Sequence, residues 1–265
     1  MTDRSPIHYE TLLLTAPAEH VCLITLNRPR VANAFNTKMA DELASAVVAT
    51  GFSARCIILT GAGDRAFCAG ADLKERDGMT DAAWNAQHLV FEKMFMALMD
   101  CPVPVVGAVN GAAFGGGCEI VLACDFVYAA RGARFALTET SLGLIPGGGA
   151  TQNLPRAVGL PRAREIVLSA APFTADEAAS WGLVNRVCEP ETLMQDVLAI
   201  AMKIAGNGPL ATRQAKKALS AAIGPAMHSA YANEIAAYNM LVPSEDRREG
   251  VRAFNEKRVP KFRGK

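Results

Sequence analysis

Short apolar runs rich in Val and Ile alternate along the chain with longer stretches whose apolar residues recur every three or four positions. The runs are HVCLITL (20–26), RCIILT (55–60), PVVGAV (104–109) and DFVYAA (125–130). Each predicts a strand, and their alternation with helical patterns predicts parallel strands joined by crossovers, an α/β arrangement. The segment 37–49 follows Asn36, a suitable N-cap, and 82–100 carries apolar residues at 89, 90, 91, 94, 95, 98 and 99, so both predict helices. The methionines of the second helix read as core filling, since Met adapts to irregular gaps. Beyond about residue 160 the strand signal fades into helical patterns such as ADEAASWGL, ETLMQDVLAIAMKIAG and ATRQAKKALSAA. The last of them, PSEDRREGVRAFNEKRVPK, offers Ser244 as N-cap, Glu245 and Asp246 in the positive first turn and Pro260 as a stop. The expected division is an α/β core over 1–195 and a helical region over 196–265.

Composition supports a folded enzyme-sized unit. The 265 residues are 51% hydrophobic, enough for a sizeable core. Basic and acidic residues number 27 and 26, a net charge of +1 that gathers neither nucleic acid nor an anionic membrane, so any bound anion must be held locally. The seven cysteines (22, 56, 68, 101, 118, 124 and 188) lack metal-ligand spacing and sit mostly in apolar runs, which predicts buried thiols in a reducing compartment. The opening MTDRSPIHYE has neither a signal-peptide apolar block nor an Arg-rich, acid-poor transit pattern, and the apolar stretch 103–130 is cut by glycines, Asn110, Glu119 and Asp125. A soluble, cytoplasmic protein is expected.

Candidate chemistry gathers in glycine-rich turns. In FGGGCE (114–119) the glycines let backbone approach a ligand and turn into a helix beginning near Gly117, whose first amides stay free for a negative oxygen. Glu119 then enters an apolar helix. Three positions earlier stands Gly116, which has no side chain to complete a capping box, so the carboxylate lacks a local structural role. A second turn, AFCAGADLKE (66–75), exposes the amides of Gly70 and Ala71, and amides from two loops can form an oxyanion hole. GAGDRA (61–66) fails as a dinucleotide fingerprint because Ala66 replaces the third glycine, and LGLIPGGGATQ (142–152) lacks the lysine of a phosphate loop. Glu139, between Thr138 and Thr140, reads in isolation as a solvated turn glutamate.

The segments FCAGADLKE, PVVGAVNGAAFGGGCEIVLACD, LGLIPGGGATQNLPRAVG and DRREGVRAFNEKR together resemble the enoyl-CoA hydratase/isomerase (crotonase) family, in one order over nearly the whole chain. The resemblance implies a ClpP-like spiral of ββα units followed by helices that mediate trimers, commonly paired into hexamers. It puts the oxyanion hole on the amides of Ala71 and Gly116 and the two catalytic carboxylates on Glu119 and Glu139. Coenzyme A contacts fall on Arg30, Val31, Ala32, Ala69, Asp72 and Leu73, with Phe254 and Lys257 reaching it from the final helix, usually in a neighbouring subunit. No metal or redox cofactor is implied, because coenzyme A belongs to the substrate. Family members that only shift a double bond often keep a carboxylate at the second position alone, so two glutamates imply a hydratase. The combination FCAGADLKER, CPVP, IPGGG and EKRVPKF looks closest to 3-methylglutaconyl-CoA hydratases, and short-chain enoyl-CoA hydratases share much of it. Residues 74–95, with Trp84 and Met79, are expected to wall the acyl pocket.

Other readings are an isomerase of the same family, a Cys-dependent hydrolase and an RNA-binding module. Cys118 sits where a helix start stabilises a thiolate, yet no histidine stands in a nucleophile motif. An activated serine protease would need GxSxG, which is absent. RNA binding requires a basic stripe, whereas Lys38 is offset by Asp41 and Glu42, and RQAKKA (213–218) reads as a solvated helix face.

Overall fold

The computed structural model describes residues 8–221 and 227–263. Most of the amino-terminal segment read above (1–7), residues 222–226 and 264–265 of the helical region, and the side chain of His228 lie outside the described residues. The chain opens with an antiparallel pair, β1 (Leu12–Ala18) and β2 (Val21–Leu26), followed by α1 (Thr37–Ser53). Asn36 Oδ1 accepts the Met39 amide at 3.0 Å and fixes the start of α1.

Three passes of one plan come next. In each, a strand enters a large sheet, a second strand enters a small sheet, and helix follows. The passes are β3 (Cys56–Gly61), β4 (Ala66–Cys68) and α2 (Asp81–Met99); β5 (Val105–Val109), β6 (Ala112–Phe114) and α3 (Gly116–Ala123); and β7 (Phe126–Ala130), β8 (Arg134–Ala136), α4 (Ala150–Val158) and α5 (Leu160–Ser169). β9 (Phe173–Thr174) closes the small sheet, α6 (Ala175–Ser180) turns the chain, and β10 (Arg186–Cys188) closes the large one. Strand orders are β1-β2-β3-β5-β7-β10 and β4-β6-β8-β9, parallel except for β1–β2 and β8–β9. This is the ββα spiral implied by the family resemblance. Hydrophobic alternation alone misses it, because β4, β6, β8 and β9 are two or three residues long and too short to carry a period.

The helices beyond β10 are not a separate layer. α7 (Leu193–Ala205) presents Leu193, Val197, Ala201 and Ala205, at four-residue spacing, to Val21, Cys56, Ile58 and Val106 of the large sheet. The expected boundary at 195/196 therefore falls inside a helix that belongs to the sheet. α8 (Pro209–Ala221) leaves Gln214, Ala215, Lys217 and Ala218 exposed, in line with the reading of 213–218 as a solvated face, while Arg213 Nη2 donates to the Gly51 carbonyl at 3.1 Å, and Lys216 Nζ bonds Asp125 at 2.6 Å and the Val103 carbonyl at 3.0 Å. α9 (Met227–Leu241) and α10 (Glu245–Asn255) fold back over α2, burying Tyr238, Val242 and Val251 with Trp84 and Leu144. Ser244 Oγ caps α10 through the Arg247 amide at 3.0 Å, and Arg247 Nη2 ties it to Asp81 at 2.6 Å. Among the described residues no helix is long and apolar enough to cross a membrane.

Two neighbouring strands of the small sheet, β4 and β6, deliver their glycine turns to one place. A Cβ on Gly117 would lie 2.0 Å from the Cys68 carbonyl oxygen, so the start of α3 rests directly on the backbone at the end of β4. Gly117→Ala should therefore destabilise the protein by about 1–3 kcal/mol, the usual cost of overpacking. Gly132→Ala, where a Cβ meets nothing within 4 Å, should stay within about 0.5 kcal/mol of wild type. Urea unfolding of both variants checks the contrast.

Candidate active site

β4 and β6 each end in a turn that leaves one amide unused. Phe35 bridges Ala71 in parallel fashion: the Phe35 amide donates to the Gly70 carbonyl at 2.8 Å and the Asp72 amide to the Phe35 carbonyl at 2.9 Å. The Ala71 N–H, between these two bonds, takes no acceptor among the described residues. Gly116, the first residue of α3, likewise has no intrahelical acceptor for its N–H. The two amides are neighbours. A Cβ on Gly70, which has φ +93°, would stand 2.8 Å from the Phe114 carbonyl oxygen and 3.2 Å from the Gly116 nitrogen, while one on Gly116 would be 3.8 Å from the Ala71 nitrogen. Only glycine at 70 lets the turns close this far.

Glu119 lies one helical turn beyond Gly116 and is buried. Its Oε1 accepts the amides of Gly148 at 2.7 Å and Ala150 at 3.1 Å, so the carboxylate without a local role is held by the start of α4. Glu139 opens a 3-10 turn (Glu139–Leu142), and its Oε1 would sit 3.1 Å from a Cβ on Gly115. Its Oε2 is shielded from solvent and unpartnered, which corrects the reading of Glu139 as a solvated turn residue. Glu234, on α9, is a further carboxylate that the sequence reading missed; it is buried and accepts the amides of Gly149 at 2.6 Å and Thr151 at 2.8 Å and also the Thr151 hydroxyl. Burial drives the Glu119 carboxyl well above its usual range, the charges of Glu139 and Glu234 add to this, and the Gly148 and Ala150 amides oppose it. Glu139 is raised to about 7, by burial first, with Glu234 adding to the rise against the pull of its own backbone amide. The carboxylates titrate together, and their protons belong to the group.

These groups face a cleft of about 520 Å³. Ala71, Gly116, Glu119 and Glu139 line it, as do Arg30, Val31, Ala69, Asp72, Leu73 and Phe254. Ala32 and Lys257 do not: the Ala32 carbonyl accepts the Ala69 amide at 3.0 Å, and Lys257 follows the end of α10 with φ +55°. The Asp72 carboxylate holds Arg28 at 3.0 Å. Phe254 lines the cleft of its own chain, and Asn255 Nδ2 bonds the Leu73 carbonyl at 3.3 Å, which ties the end of the final helix to the first glycine turn. The inner wall also departs from expectation. Trp84 is fully buried behind it and Met79 is absent from it, while Arg76, His88, Phe91 and Phe95 of 74–95 form it together with Tyr238. A second hollow, of about 510 Å³, lies among charges of the carboxyl-terminal segment that pair with one another, such as Arg258 with Glu249 at 2.6 Å.

The model of the enoyl-CoA hydratase/isomerase family matches residues 17–265. The chain belongs to this family. The short-chain-enoyl-CoA hydratase of Clostridium acetobutylicum is 38% identical over 240 residues, covering 90% of this chain and 92% of the relative. The human mitochondrial methylglutaconyl-CoA hydratase is 36% identical over 250 residues, covering 92% and 74%. The crystal structure of an enoyl-CoA hydratase from Bacillus anthracis superposes with a TM-score of 0.80 at 41% identity, covering 97% of this chain and all of that one. An enoyl-CoA hydratase/isomerase fold thus accounts for both glycine turns and for the spiral that brings them together.

Two measurements test the electrostatics of this family member. Glu139 keeps its proton in the folded state to about pH 7 but in the unfolded state only to its usual 4.5, so folding is favoured at low pH and this advantage is lost as pH rises through that window. Glu139→Gln should accordingly gain stability relative to wild type as pH rises from 4.5 to 7, and the gain should level off above, read by urea unfolding at each pH. The Cys118 thiol is raised well above its ordinary value by burial and then by the charges of Glu139 and Glu119, which removes the thiolate of the hydrolase reading. Native protein should leave Cys118 unalkylated by iodoacetamide at pH 8, and Cys118→Ala should keep most activity.

Proposed function

We propose that the protein hydrates enoyl-CoA thioesters, adding water across the α,β-double bond on one face. The observation that carries this reading is a pair of carboxylates with raised pKa beside two unused amides in one cleft. When water attacks Cβ, negative charge moves onto the thioester oxygen, and the amides of Ala71 and Gly116 are already oriented to receive it. Losing one such donor typically costs about 10² to 10³ in rate.

The proton balance requires two groups. Water gives up one proton as its oxygen bonds Cβ, and Cα gains one as the enolate collapses. A carboxyl and a carboxylate holding one proton between them do both and end with the same proton count. We assign Glu119 to the water and Glu139 to Cα. Proximity of like charges favours the singly protonated pair near neutral pH, because two ionised carboxylates repel.

Coenzyme A is proposed to enter along Arg30, Val31, Ala69 and Leu73, with Phe254 against it. Ala32 and Lys257, outside the cleft lining, are proposed as outer contacts to coenzyme A. Asp72 contributes by fixing Arg28. The working assembly is proposed as a trimer or a pair of trimers in the cytoplasm, built with the helical region, and the acyl group as short, with 3-methylglutaconyl-CoA among the candidates. No added cofactor takes part in this scheme.

Glu119→Gln should lower hydration of crotonyl-CoA by about 10² to 10⁴ while the Cα acid and the amides remain. Such a variant should still exchange an α-proton in deuterated water. Glu139→Gln should lose hydration and exchange together. Loss of thioester absorbance and mass spectrometry read the two steps; near wild-type hydration by Glu119→Gln would overturn the assignment of Glu119 to the water, and wild-type exchange without hydration would favour the isomerase reading.

A further inference from the structure

The inner end of the cleft holds groups that hydration does not use. Arg76 lines the cleft and is 4% exposed. Its guanidinium sits over the Trp84 ring at 4.0 Å and beside Phe91 at 4.8 Å. Nε donates to Gln87 Oε1 at 2.7 Å and Nη1 to the Tyr238 hydroxyl at 2.9 Å, but Nη2 is shielded from solvent and has no partner. Of the acids near it in sequence, Asp77 is exposed, and Glu75 and Asp81 are already taken. Glu75 accepts from Thr37 and Gln87, and Asp81 pairs with Arg247 and Arg248. Among the described residues nothing ion-pairs with Arg76.

Two more donors join it. Tyr238 Oη accepts from both Arg76 and Trp84 Nε1, the latter at 2.9 Å, which leaves its own proton to give. His88, also 4% exposed and lining the cleft, stacks on Tyr238 with centroids 4.0 Å apart, and neither ring nitrogen has a partner. Burial, and then the Arg76 charge, keep His88 neutral with its pKa lowered to about 3; the Gly147 carbonyl acts the other way without reaching hydrogen-bond geometry. An unpaired cation, a hydroxyl proton and an imidazole therefore form one connected cluster against the apolar walls of Phe91, Phe95 and Leu144. Buried charge and buried donors of this kind are expensive unless a ligand completes them.

We propose that this cluster binds a carboxylate at the far end of the acyl chain, so that the preferred substrates are coenzyme A monothioesters of unsaturated dicarboxylic acids. The inference rests on the hydratase reading and adds the class of acyl group. A planar carboxylate matches the guanidinium edge and can accept from Tyr238 and His88 as well, whereas an uncharged short chain leaves all three unpaired.

The test compares glutaconyl-CoA with crotonyl-CoA, which differ by the terminal carboxylate. Wild-type kcat/KM should favour glutaconyl-CoA by about 10- to 100-fold, the factor for a charge-assisted contact. Arg76→Met should reduce that ratio by a similar factor, and Arg76→Lys should restore part of it, which loss of packing alone does not produce. Calorimetric binding of glutaryl-CoA against butyryl-CoA to wild type needs neither turnover nor a folded variant, and should favour glutaryl-CoA at least tenfold. Crotonyl-CoA hydration without preference for either dicarboxylic thioester would overturn the carboxylate site and leave the hydratase reading standing. Tight glutaryl-CoA binding without hydration of any substrate would do the reverse.

Discussion

The start of α4 is the point on which the site depends. Its exposed amides are gripped by two buried carboxylates from different parts of the chain, Glu119 from α3 and Glu234 from α9. A helix start carries partial positive charge and unpaired N–H groups, so it can hold acids that apolar surroundings would otherwise expel. The grip joins the second ββα pass, the third pass and the carboxyl-terminal helices at one place. It also fixes Glu119 relative to the amide of Gly116 one helical turn earlier.

The same contact sets the acid–base character of the cleft. Three carboxylates close together in poor solvent cannot all ionise, and the amides that bind Glu119 and Glu234 only partly offset burial. Burial raises the Glu139 carboxyl, its own backbone amide offsets only part of that and the Glu234 charge adds to it, which leaves it titrating near neutrality. Protonation is thereby shared across α3, the 3-10 turn and α9.

The carboxyl-terminal helices shape the substrate space as much as the spiral does. Tyr238 on α9 anchors Arg76 and Trp84, while α10 lies so close to the 3-10 turn that a Cβ on Gly250 would meet the Leu142 carbonyl oxygen at 2.3 Å. Glu139 and the inner wall are therefore both braced from the helical region, and the spiral alone does not complete the cleft.

The sequence by itself determined the longer elements. Asn36 and Ser244 cap α1 and α10 through contacts three residues away, and the four main parallel strands are apolar runs long enough to read. The glycine turns around Gly70 and Gly116 were legible for the same reason: glycine's freedom is a local property. Only the tertiary structure decided what the polar residues face. Glu139 has no local pattern that separates a solvated turn from a buried one, and neither the turn that holds Arg76 nor the helices that hold His88 and Glu234 carry a local signal that these polar side chains are buried. Their partners stand far along the chain, as with Arg76 and Tyr238 at a separation of 162 residues, and burial and charge arise only when those segments meet.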